Sequence, residues 1–93
     1  MTVDRATAAT NRLRTVELLA HEAYEAAKAR NTIEALKYLR TIATYAELAT
    51  KLAVEVGRAE GLTWDELADA VGVTRQALHH KYASNLPGGD DGE

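Results

Sequence analysis

The chain has no cysteine and no phenylalanine, a single proline at Pro87 and a single tryptophan at Trp64. Without cysteine there is no disulfide framework and no cysteine-rich zinc site, and a reducing interior, the cytoplasm, is the expected compartment. Nowhere does an apolar run approach the roughly 20 residues a membrane helix requires, and Met1–Arg14 lacks the apolar core of a signal peptide, so no membrane partner is expected. A basic excess is missing too. Of fourteen acidic residues, Asp90, Asp91 and Glu93 lie at the C-terminus, which leaves eleven acids against eleven basic residues over positions 1–86. A neutral body supplies little of the phosphate attraction on which a monomeric nucleic-acid binder relies.

What is present is alanine and leucine in helical spacing, with no useful stretch of period-2 alternation, and this predicts an all-α fold. At 93 residues there is material for one modest core and none for a deep catalytic cleft. The first helix is expected over Val3–Arg30, with Ala6, Ala9, Leu13, Val16, Ala20, Ala23 and Ala27 on one face and Leu18, Leu19, Tyr24 and Ala26 widening it. Asn31 reads as an N-cap with Glu34 three residues on. The second helix follows, its face formed by Ala35, Leu39, Ile42, Ala46, Ala49, Ala53 and Val56. Unbroken to Glu60 it would be longer than most globular helices, and Gly57 is the expected place for a break. Positions 1–56 are thus predicted to form a helical hairpin with more apolar surface than one partner helix covers.

Gly61 is expected to end the second helix. Thr63 and Glu66 then have capping-box spacing, Leu67, Ala68 and Val71 form the apolar face of a short helix, Gly72 stops it, and Thr74 caps a last helix, Arg75–Ala83. Two short helices joined at Gly72-Val73 make a helix-turn-helix over 57–83, with Ala68 allowing close approach and Val73 and Leu78 filling the core. Residues 84–93, with Pro87, glycines and acids, are expected to form a disordered acidic tail.

The stretch Leu62–Tyr82, through Trp64, Leu67-Ala68, Gly72-Val73 and Thr74-Arg75-Gln76-Ala77, resembles the helix-turn-helix of the DNA-contacting ends of sigma factors and of small actinobacterial regulators. The resemblance covers about a quarter of the chain and implies that Thr74–Lys81 is a recognition helix. With Ala77, Leu78 and Tyr82 turned inward, Arg75, Gln76, His79 and His80 become the candidate base readers. Arginine suits guanine O6 and N7, and glutamine suits adenine. Thr74 at the helix start, Lys81 and Arg58 are the candidate phosphate contacts. The histidines further predict tighter DNA binding in mild acid.

The expected partner is double-stranded DNA, bound by a homodimer on an inverted repeat, because a neutral body and surplus apolar helix surface both call for a second copy. The competing reading is a helical protein-interaction module, an adaptor or antitoxin-like partner, in which the same fold binds no DNA. No catalytic residue, metal site, cofactor or small-molecule substrate is predicted. His79-His80 are neighbours about 100° apart on a helix with no third ligand in sight, and His21-Glu22 lacks the second histidine of a zinc-protease helix.

Overall fold

A computed structural model describes residues 4–83 and is all-helical, with no strand among those residues. The helices are α1 (Arg5–Lys28), α2 (Thr32–Ala59), α3 (Trp64–Val71) and α4 (Arg75–Tyr82). The expectations for Val3 and for the tail at 84–93 lie outside the described residues. The chain divides into two compact units, 1–52 and 53–93, with α2 contributing to both.

Each helix starts where a short polar side chain captures a first-turn amide. Asp4 accepts from the Thr7 amide at 2.7 Å, Asn31 from Glu34 at 3.2 Å, Thr63 from Glu66 at 3.1 Å and Thr74 from Ala77 at 3.0 Å. Thr63 and Glu66 form the full reciprocal box, since Glu66 Oε1 accepts from the Thr63 amide at 2.8 Å. The Thr63 and Thr74 caps contribute about 1 kcal/mol each, a large share of what an eight-residue helix can gather on its own. The Thr7 amide also holds the exposed Asp4 carboxyl below its ordinary value of 3.8. A lowered folded-state value means that this contribution is present above pH 3.8 and lost as pH falls through the lowered value.

The first unit consists of α1 and of α2 as far as Leu52, joined by Ala29, Arg30 and Asn31. Arg30 closes α1 with a left-handed backbone, φ 63°; its amide donates to Ala27 O at 3.0 Å and that of Asn31 to Ala26 O at 2.8 Å. This is the 5→2 and 6→1 pair of a Schellman turn, a position that favours glycine. Arg30→Gly is therefore expected to raise stability by about 0.5–1 kcal/mol, less the extra freedom glycine gives the unfolded chain. Denaturant titration reads it; a fall in the midpoint would mean the Arg30 side chain outweighs the backbone strain.

Ala23, Ala35 and Ala49 are the buried apolar residues of this unit, whereas Leu13, Leu18, Tyr24, Ile33, Leu36, Leu39 and Leu48 are exposed. The core of the second unit is better filled: Val54, Trp64, Leu67, Ala68, Leu78, Tyr82 and Ala83 form one buried cluster.

α2 corrects one expectation. It does not break at Gly57; the helix runs on to Ala59, and Gly57 sits buried inside it. A Cβ at Gly57 would lie 2.7 Å from Leu67 Cδ2 and 3.3 Å from Leu62 Cδ1. The glycine is there for clearance, letting α3 approach the backbone of α2. The stop comes at Gly61, φ 94°, with the Gly61 amide on Arg58 O and the Leu62 amide on Gly57 O.

Candidate nucleic-acid interface

α3 and α4 are eight residues each and are linked by Gly72, Val73 and Thr74. Gly72 adopts φ 88°, and the amides of Gly72 and Val73 both donate to Ala68 O, at 2.8 and 3.1 Å. The left-handed residue turns the chain sharply, and Thr74 restarts it as a helix one residue after Val73. α4 is then fixed by two side chains. Leu78 is 2% exposed and Tyr82 5%, four apart on one face, and both belong to the cluster around Trp64.

This anchoring decides what the rest of α4 shows. Gln76 and His80, also four apart, are exposed on the face away from Leu78, and Ala77, to one side of them, is exposed as well. Ala77 was expected inward; with Leu78 at the centre of the buried face, its neighbour falls about 100° away. Val73 and Val71 are likewise exposed, at 45% and 42%, and do not fill the core. The interior around Trp64 is completed instead by Val54, Tyr82 and Ala83.

Arg75 stands at the edge of the outer face, its Nε 3.7 Å from Asp65 Oδ1 in the first turn of α3. The pair ties the starts of the two short helices together, though at 44% and 79% side-chain exposure it contributes little to stability. Lys81 is exposed, with Nζ 5.4 Å from the Tyr82 ring centroid. Thr74 is exposed and uses its hydroxyl to cap α4.

Two candidates are placed away from the free face of α4. His79 is half-buried, its ring edge-on to Trp64 with centroids 5.0 Å apart and planes at 72°. Arg58, expected at a phosphate, lays its guanidinium 4.9 Å from the Trp64 ring centroid and donates from Nη1 to Leu62 O at 2.9 Å. Trp64 is thus enclosed by Arg58 on one of its faces and His79 at its edge, and is 1% exposed. It acts as a wedge between the short helices and the end of α2, and the guanidinium and imidazole beside it serve the packing of that wedge.

The face left to a ligand consists of Gln76, Ala77 and His80, flanked by Arg75, Lys81 and Thr74 and preceded by Val73. Two small apolar groups, Ala77 and Val73, were absent from the sequence-based set. A methyl on such a face matches the thymine methyl in a major groove, and counting helical angle outward from Leu78 would have found Ala77. Among the described residues no three or more histidines, cysteines or carboxylates gather as metal ligands would, and no helix is long and apolar enough to cross a membrane. No protein-family model, curated protein or solved structure matches the chain, so its functional reading rests on the residues of this face.

Proposed function

We propose that the chain is a sequence-specific DNA-binding regulator acting as a homodimer on an inverted repeat. In this reading residues 1–56 form a helical hairpin that pairs the subunits, and 57–83 form a helix-turn-helix with one reading head per subunit. The observation that carries it is the pose of α4. Leu78 and Tyr82 hold it from below, the Gly72 turn brings its start to the surface, and a bidentate amide, an imidazole and a methyl share its free face. Gln76 and His80 read base edges, Ala77 and Val73 meet thymine methyls, and Arg75 reads guanine from the edge of the face. Lys81 and Thr74 contact phosphates.

The net charge of the body supports two heads over one. With acids and bases balanced, each head gathers little phosphate attraction, and doubling the heads on one duplex compensates through effective concentration. Heads about 34 Å apart, or a multiple of it, enter successive major grooves on one side of the helix.

The test is selection from a pool of randomised duplexes at low salt, followed by sequencing of what the protein retains. Enrichment of one inverted repeat, with affinity falling steeply as salt rises, is the expected result. A folded protein that enriches nothing, and instead captures a defined protein partner, would replace this reading with the adaptor.

A further inference from the structure

We propose that two copies pair through α2, antiparallel, about a two-fold axis that passes between Ala43 and Ala46. This rests on the reading of residues 1–56 as the pairing region and specifies how that region pairs.

The observation is a second row on α2, separate from its buried face. Thr32, Leu36, Leu39, Ala43, Ala46, Thr50 and Ala53 follow one another by four and three residues along nearly the whole helix, which is the a/d spacing of a helix-packing seam. None carries a charge. Six are exposed and Thr50 is half-exposed, with Leu36 at 55% and Leu39 at 51%. The row lies about a quarter turn from Ala35 and Ala49, the residues that α2 buries in the first unit, as a bundle helix with two neighbours requires.

The two flanks of the row differ, and the difference fixes direction. On one flank Ala35, Ile42 and Ala49 are buried or half-buried within their own unit; on the other stand Arg40 and Glu47, exposed and seven residues apart. In an antiparallel pair like flanks meet. Arg40 of one copy then faces Glu47 of the second, twice by symmetry. A parallel pair would set both charges against the apolar flank. The antiparallel register also matches sizes, placing Leu36 over Ala53, Leu39 over Thr50 and Ala43 over Ala46 of the second copy, large against small at each outer layer.

α1 adds to the same side. Leu13, Ala20 and Tyr24 are exposed about a quarter turn from the buried Ala23, in the same rotational sense as the α2 row from Ala35 and Ala49. In two helices of opposite direction this places both rows on one side of the hairpin. Leu13 of this row, with Thr10, Arg14, Val16 and Glu17, lines a shallow open depression of about 390 Å³. The exposed large side chains and alanines of the two rows are the surface that pairing would bury, and a stable interface takes about 1,200 Å² or more in total.

Sedimentation equilibrium of the full chain, without DNA, tests the arrangement. The wild type is expected to be a dimer, and Leu39→Lys, at an exposed position, a folded monomer with unchanged helicity. Arg40→Glu and Glu47→Arg are each expected to raise the dimer dissociation constant about tenfold. The double reversal restores it, and mixing the two single variants gives a heterodimer in preference to either homodimer. A monomeric wild type, single reversals without effect, or a double reversal without rescue would overturn the proposal. A dimer that behaves in this way but enriches no duplex would leave the pairing standing and overturn the DNA reading. A Leu39→Lys monomer that still selects a half-site separates the two in the other direction.

Discussion

Replacing Trp64 with alanine is expected to unfold the second unit while leaving the first helical. The indole is 1% exposed and lies among Val54, Leu67, Ala68, Leu78, Tyr82 and Ala83, the whole buried cluster of the unit. Truncations of this size in a packed core cost about 3–5 kcal/mol, against a total stability of about 5–15 kcal/mol for a domain. A unit of some 30 described residues stands at the bottom of that range. Two further contacts vanish with the ring: the Arg58 guanidinium over its face and the His79 imidazole at its edge. Amide resonances of α3 and α4 should collapse toward random-coil shifts while those of α1 persist. Trp64→Phe, which keeps much of the buried area, should lose appreciably less. A Trp64→Ala protein with the wild-type unfolding midpoint would mean that α4 is held by something other than this cluster.

The second large effect concerns recognition. Arg75→Ala combined with Gln76→Ala is expected to weaken binding to the selected repeat at least about 100-fold while leaving the fold intact. Each bidentate base contact carries about 1–3 kcal/mol of discrimination, and the two substitutions remove such contacts from both heads of a dimer. Stability should hardly move. Gln76 is exposed, and Arg75 gives up a solvated ion pair with Asp65 worth about 0–1 kcal/mol at most. Affinity for unrelated duplexes should fall far less, so the ratio of specific to non-specific binding is the quantity to measure. Equal loss on all sequences would assign these residues to phosphates and move base reading to His80 and Ala77. No loss would remove α4 from the interface.

Helix ends were the most legible part of this fold. Asn31, Thr63 with Glu66, and Thr74 are starts, and Gly61 and Gly72 are stops, because a cap is a local transaction between a side chain and an amide three residues away. Gly57 was read by the same local logic and misled it. Its reason is Leu67, ten residues on and in another helix, a contact that no spacing rule reveals. The site divides in the same way. Gln76 and His80 were legible as outward because polar residues four apart share a face. Ala77 was misplaced because an apolar residue beside Leu78 looks like core, although on the helix it lies about 100° from Leu78. Arg58 and His79 look like ordinary polar surface in the sequence, and only the enclosed indole shows what they cover. In the first unit the alanine seam identified a helical surface, but which of two adjacent rows stays open depends on burial that only the fold supplies.

Among the described residues, the buried cluster of the second unit runs from Val54 to Ala83. Its contacts are short in sequence, and such arrangements close quickly and without help from distant segments. In the proposed scheme a reading head is therefore finished before the chain finds its second copy. At concentrations below the dimer dissociation constant the order of events would be set by DNA: one monomer lodges on a half-site, and the duplex holds the next where the two can join. Occupancy would then rise more steeply than linearly with protein, giving a promoter under such control a threshold in place of a graded response.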